Sequence, residues 1–270
     1  MQTTADKKWD SWDPRVSVEY AATDTLMVYA SYAEGFRAGG FNSRPVEPPV
    51  TSFDPEEVAT WEIGLKSEML NRRLRLNAAA FFTEYDDMQV QVLSGGFFDI
   101  TNAGNSEISG FELEMLAVPT PALEINLGLG YLDAEYTSVT DEALAVDVTE
   151  NNKLPMTPEW TVNAGAQYTF GLGDAGKLIA RLDYLYEDER YSFANNAPGN
   201  LLSDRDLVNL RFSWVSADEA LSISVIGRNV TDEEYFRFAE DVRDGASPLG
   251  TLIQYPAPPA TWSAEISYSF

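Results

Sequence analysis

The sequence predicts an all-β protein, an antiparallel transmembrane β-barrel meander of about eleven strands. Three observations carry this. Apolar and polar residues alternate with period two in segment after segment, the connections between segments alternate between short and long, and charges within segments fall in the polar phase. The alternation is cleanest in residues 261–270, where Trp262, Ala264, Ile266, Tyr268 and Phe270 share one face and Thr261, Ser263, Glu265, Ser267 and Ser269 the other. An apolar face margined by aromatics, opposite a wet face, is the pattern of a strand between lipid and an aqueous lumen.

In chain order, Val16, Val18 and Tyr20 oppose Ser17 and Glu19, and a turn at 21–24 leads to Leu26, Val28, Ala30 and Tyr32. The stretch 34–57 is rich in Gly and Pro and reads as a loop. Trp61, Ile63 and Leu65 alternate with Glu62, Gly64 and Lys66, and a tight return at 70–72 leads to Leu74, Leu76, Ala78, Ala80 and Phe82. That strand is expected to run on past Tyr85 through Gln89, Gln91 and Leu93. Phe111, Leu113, Met115 and Ala117 follow a loop, and a return at 119–121 precedes Leu123, Ile125, Leu127, Leu129 and Tyr131. Beyond a long acidic loop, 137–158, come Trp160, Val162, Ala164, Ala166, Tyr168 and Phe170. The turn 171–176 leads to Leu178, Ala180, Leu182, Tyr184 and Tyr186. A loop at 191–205, a strand with Val208, Leu210, Phe212 and Trp214, a turn at 217–219 and a strand with Leu221, Ile223 and Val225 follow. The loop 229–260 precedes the terminal strand.

A soluble sandwich has no reason to alternate short and long connections, because its two ends are chemically alike. An outer-membrane barrel has short periplasmic turns and long outer loops. Glu62, Arg75, Glu112, Glu114, Glu124, Arg181, Asp183, Arg211 and Glu265 all land in the polar phase and form the expected lumen lining. There they escape the roughly 2–4 kcal/mol that lipid exacts from a midplane Arg or Lys. Trp61, Tyr131, Trp160, Tyr168, Phe170, Trp214, Trp262, Tyr268 and Phe270 are the expected aromatics of the lipid interfaces.

Composition narrows the function. The 270 residues hold 18 basic and 43 acidic side chains, a formal charge of −25, so nucleic acid is excluded as a partner of the bulk surface. There is no Cys and no His, which removes disulfides, thiolate metal sites, the commonest general base and the usual haem ligand. Ser-His catalysis is therefore impossible, and no enzyme is expected. Glu112 and Glu114 share a face and admit a carboxylate-dyad reading, but the favoured reading is polar lining paired with arginines on neighbouring strands. No apolar run reaches the length of a membrane helix, and residues 1–14 have no signal-peptide core. An odd strand count breaks the even-number rule of bacterial barrels. Both features lead to the expectation that the chain is the C-terminal portion of a larger barrel.

The terminal Phe270 resembles the ending of bacterial outer-membrane barrels. Residues 28–44 (VYASYAEGFRAGGFNSR), 61–90, 102–114 (NAGNSEISGFELE) and 227–236 (GRNVTDEEYF), in that order, resemble the β-barrel of TonB-dependent outer-membrane receptors. The resemblance implies that residues 1–270 are the C-terminal half of a barrel of about 22 strands, with the plug domain and the segment contacting the TonB energising protein absent. It implies a ligand-gated receptor in a Gram-negative outer membrane, importing a scarce nutrient, most often a ferric siderophore. The implied partners are outer-membrane lipid and lipopolysaccharide, an iron chelate or similar ligand, the missing plug and N-terminal barrel half, and TonB. A passive porin and a structural or adhesive surface barrel are the alternatives.

Phe36, Arg37, Phe41, Asn42 and Arg44 lie among Gly35, Gly39 and Gly40 in the first long loop. Rings that stack and an Arg that grips oxyanions suit an anionic, ring-bearing chelate; equally, Phe36 continues an aromatic girdle and the glycines permit turns. Haem receptors of this family resemble the stretch at Phe36, Arg37 and Ala38 but continue with proline where Gly39 stands, and they use loop histidines. The loop acids Asp133, Glu135, Asp141, Glu142, Asp147 and Glu150 match no defined calcium loop and read as solvated.

Overall fold

In the computed structural model, residues 6–42, 50–94, 97–241 and 250–270 are described. β1 (Arg15–Thr23) turns at Asp24 and Thr25 into β2 (Leu26–Arg37). The next connection carries the small pair β3 (Gly40–Phe41) and β4 (Ser52–Phe53) before β5 (Glu56–Met69). Leu70, Asn71 and Arg72, at φ of 53°, 56° and 64°, fold the chain tightly back into β6 (Leu74–Asp86). A hairpin of β7 (Gln89–Ser94) and β8 (Phe97–Asn102) precedes β9 (Ser106–Thr120) and β10 (Leu123–Tyr136). The short helix α1 (Asp141–Leu144), capped by the Thr140 hydroxyl, lies before β11 (Trp160–Gly171) and β12 (Lys177–Glu187). β13 (Arg190–Tyr191) pairs with β14 (Leu201–Leu202) ahead of β15 (Arg205–Val215) and β16 (Leu221–Arg228). A last hairpin, β17 (Phe236–Asp241) with β18 (Leu252–Pro256), leads to β19 (Thr261–Tyr268).

Eleven of these strands form one antiparallel meander in the order β1-β2-β5-β6-β9-β10-β11-β12-β15-β16-β19. Its register keeps one phase across the whole sheet. Val18 faces Ala30, Ala30 faces Ile63, Ile63 faces Ala80, and Ala80 faces Phe111. Further along, Leu127 faces Ala164, Ala164 faces Tyr184, Phe212 faces Val225, and Val225 faces Ala264. A slip of one residue in any pair would turn a strand's apolar set to the wrong side. The apolar face stands open, with Trp61, Ile63, Leu182, Phe212, Trp262 and Ile266 exposed, as a surface for lipid rather than water requires.

Aromatic rings margin this face at both ends. Near the long connections, Tyr32 lies 4.4 Å from Trp61, and Tyr131 lies 4.8 Å from Trp160, with Phe111 beside both. Near the short turns, Tyr168 meets Phe170 at 4.5 Å, Tyr268 meets Phe270 at 5.0 Å, and Trp214 donates its Nε1–H to Ala175 O at 2.8 Å. From Trp160 to Phe170 the strand covers about 33 Å at about 3.3 Å per residue, which at the roughly 40° tilt of barrel strands spans about 25 Å along the membrane normal, the height of the apolar band of an outer-membrane barrel.

Two departures from the sequence-based expectation stand out. β6 does not run on to Leu93: it ends at Asp86, and Gln89–Ser94 turns away to pair with Phe97–Asn102. The break sits at Asp87 (φ 54°), whose carbonyl accepts from Asn102 Nδ2 at 2.7 Å, while Met88 exchanges backbone hydrogen bonds with Ala103 and Gly104. The second departure is the location of the buried core. Val90, Val92, Ala103, Tyr136, Ala143, Val148, Leu154 and Ala194 pack together among the long connections, so these are a folded cap rather than separate solvated loops.

The edge strands β1 and β19 are exposed along their whole length, and each is bonded on one side only. Both run from the long-connection end to the short-turn end, so they cannot pair antiparallel with each other. Spin labels at Leu127, Ala164, Phe212 and Ile266 are expected to be quenched by a lipid-soluble relaxer several times more strongly than labels at Asn126, Asn163 and Glu265. Equal accessibility of the two sets would refute the phase.

Candidate functional site: the polar face and the loop cap

The polar face is a surface of paired charges on a floor of small residues. Arg181 grips Asp183 with two hydrogen bonds, at 2.9 Å and 2.5 Å, and donates to Asn126 Oδ1 at 3.1 Å. This network fills the space above Gly165, where a Cβ would collide with it. The register sets Arg181 directly opposite Arg211, a like-charge pairing that costs stability. The conflict is relieved because Arg211 turns the other way, donating to Ser213 and Ser224 hydroxyls and reaching Glu265 on β19 at 3.7 Å. Arg75 donates to Glu68 at 3.1 Å.

Glu112 and Glu114 do not find the arginines expected of them among the described ion pairs. Register is the reason: Glu114 stands between Asn77 and Gly128, Glu112 between Ala79 and Gly130. Asn77 Nδ2 donates to Glu114 at 3.3 Å instead. Glu62 stands opposite Ser31 and Phe81, and Glu124 opposite Gln167.

The first-loop residues are distributed rather than gathered. Phe36 and Arg37 close β2 opposite Glu57 and Glu56. Phe41 packs against Trp9 with centroids 6.3 Å apart, and Gly39 leaves room for that indole. Asn42 is buried and spends its amide on Ile100, donating to its carbonyl at 3.0 Å and accepting from its N–H at 2.9 Å. Arg44 lies outside the described residues.

Side-chain amides bind the cap together, a role that period-two reading cannot detect. Gln89 Nε2 donates to Ala38 O at 3.1 Å and Asp54 O at 3.0 Å, while its backbone N–H donates to Glu56 at 2.6 Å. Asn102 exchanges two hydrogen bonds with the Asp54 backbone, and Asn105 donates to Asp86 at 2.9 Å. Gly104 between them, at φ 123°, abuts the Ser138 carbonyl so closely that no side chain fits. In the second knot Asn229 (φ 50°) accepts from Glu233 N–H and donates to Glu233 O, both at 2.9 Å, and Asp232 accepts from Ala260 N–H at the entry to β19. The segments NAGNSE and GRNVTD thus tie strand ends to loops; their conspicuous Asn and Gly content was the available signal.

Across the cap runs a chain of rings: Phe98 stacks on Phe193 at 5.7 Å, Phe193 meets Phe238 edge-on at 5.4 Å, and Phe238 meets Tyr255 at 6.0 Å. A small cavity beside Phe98 and Phe193 is lined by Gln91, Asn195, Asn200 and Glu240 among others. Burial there raises the pKa of the Glu240 carboxyl. No group of acids able to hold a metal ion occurs among the described residues.

A continuous apolar face between two aromatic margins, with short turns at one end and a folded cap at the other, defines the wall of an outer-membrane β-barrel. The family model described as "TonB dependent receptor-like, beta-barrel" matches residues 2–230, and the chain belongs to that family. Its barrels are Gram-negative outer-membrane proteins, transporters rather than enzymes. The chain is 30% identical over 191 residues to the "Probable TonB-dependent siderophore receptor PiuA" of Acinetobacter baumannii, covering 62% of this chain and 25% of that protein. It is 28% identical over 240 residues to the "Metal-pseudopaline receptor CntO" of Pseudomonas aeruginosa, covering 87% of this chain and 31% of the relative. The chain therefore spans less than a third of these two relatives. The crystal structure of the ferric yersiniabactin uptake receptor FyuA from Yersinia pestis superposes with a TM-score of 0.79 at 21% identity, over 95% of this chain and 37% of that one, a likeness of fold.

Gly104→Ala forces a side chain into a glycine-only conformation and is expected to destabilise the cap by about 1–3 kcal/mol, read as faster surface proteolysis of the connections with the sheet intact. Glu240 keeps its proton to higher pH in the folded chain than in the unfolded one. Its contribution to stability is therefore present at acid pH and falls as pH rises through the raised pKa. Glu240→Gln is expected to stabilise the cap at neutral pH and to make no difference below the ordinary glutamate range, measured by hydrogen exchange of β17 amides relative to wild type.

Proposed function

We propose that this chain is the wall segment of a TonB-coupled receptor that imports a metal chelate, of ferric siderophore class, across the outer membrane. The observation that carries the reading is membership of the receptor family together with similarity to proteins named as siderophore and metal-chelate receptors. The charged and hydrogen-bonding polar face supports it, because side chains such as Arg181, Asp183 and Asn126 offer fixed partners to a domain packed in the lumen.

On this reading the remaining strands of the barrel begin and end with strands that run opposite to β1 and β19, and a plug fills the lumen. TonB acts through a region outside this chain, and lipid and lipopolysaccharide cover the apolar face. Phe36, Arg37 and Phe41 stand where the cap meets the wall and serve as candidate ligand contacts. The test is growth of iron-restricted cells carrying the full-length receptor, with and without TonB. Growth on an iron chelate is expected only with TonB. Uptake that persists in its absence identifies a passive pore instead.

A further inference from the structure

Glu187 closes β12 and Arg205 opens β15, and they stand opposite each other at the root of the connection 188–204. Two guanidiniums converge on the Glu187 carboxylate, Arg205 Nη2 on Oε2 and Arg190 Nη1 at 2.7 Å from Oε1. The Arg205 guanidinium also lies over the Tyr235 ring, 4.8 Å from its centroid. The cluster carries a net positive charge within a chain whose formal charge is −25. Glu68 also meets two arginines, but Arg72 and Arg75 are 83% and 58% exposed, and water solvates their surplus charge.

Arg190 and Arg205 are only 4% and 16% exposed. Their surplus charge is therefore poorly solvated, and a buried charge without a counter-charge is strongly destabilising. Three of their nitrogens, Arg190 Nε, Arg190 Nη1 and Arg205 Nε, are buried and donate no hydrogen bond. Arg190 Nη1 is within ion-pair reach of Glu187 but out of line for a hydrogen bond. A guanidinium has donors only, and its forked geometry matches the oxygens of carboxylate and phosphate.

We propose that Arg190 and Arg205 form a site for one small oxyanion, of carboxylate or phosphate type. Glu187 and Arg205 share the polar phase of Arg181 and Arg211, so the anion arrives from the polar face. Glu187 engages Arg205 Nη2 and lies within ion-pair reach of Arg190 Nη1, and the oxyanion takes the unpaired Nε–H groups. The Glu187 charge thus opposes the incoming anion. The site is independent of the uptake reading, since it binds an anion whether or not the receptor transports a chelate.

The test is calorimetric titration of the purified full-length receptor with inorganic phosphate and, separately, acetate at low ionic strength. Wild type is expected to show saturable binding of at least one of the two, and the responding anion defines the chemistry. Arg190→Gln and Arg205→Gln should each weaken it roughly tenfold. Glu187→Gln should tighten it, because it removes the opposing charge and keeps both arginines. In a purely structural ion cluster all three changes would lower stability and none would alter anion affinity. No saturable binding to wild type, or a Glu187→Gln variant that binds no more tightly, overturns the proposal. If an arginine variant fails to fold, the comparison of Glu187→Gln with wild type decides alone.

Discussion

Everything in this structure follows from the need to pair backbone N–H and C=O groups where no water can reach them. In hydrocarbon each orphaned group costs several kcal/mol, so a β-protein spans a membrane only as a sheet whose strands are all bonded to neighbours. The meander from β1 to β19 meets that requirement through ten consecutive pairings in one phase. Side chains then sort by solvent: Ile63 and Phe212 to one side, Arg181 and Glu265 to the other. At the exposed edges β1 and β19 the requirement is met on one side only within the described sheet.

The cap obeys a different rule. Above the membrane water can solvate the backbone, so connections are free to leave the sheet, and what fixes them is packing and side-chain amides. Tyr136 and Leu154 bury themselves among residues from separate connections. Gln89, Asn102 and Asn229 satisfy backbone groups that no neighbouring strand reaches. Their bonds join segments far apart in sequence, as when Asn42 reaches Ile100.

This division explains what could be read from the sequence. Strand phase is local, because a residue's neighbours at two positions either way already disclose which solvent it faces, and all eleven sheet strands were legible for that reason. Contacts between strands depend on register, which a single strand does not disclose. Glu112 and Glu114 were thus assigned arginine partners, whereas the sheet sets Ala79, Gly130, Asn77 and Gly128 beside them. The break after Asp86 was invisible for a similar cause: Gln89, Gln91 and Leu93 keep the alternation of a continuing strand, and the turn is held by Asn102, at the far end of the hairpin, and Gly104 just after it. The bonds of the Asn42 amide to Ile100 were equally hidden, because they join distant parts of the chain.

The common direction of β1 and β19 has a consequence for how such a wall can change over generations. Insertion of one hairpin adds an up strand and a down strand and leaves both edges as they were. Duplication of this whole segment in tandem does not: the β19 of one copy would meet the β1 of the next running the same way, and the seam would be parallel. Growth by hairpins is open to this sheet, and growth by whole repeats is barred by parity.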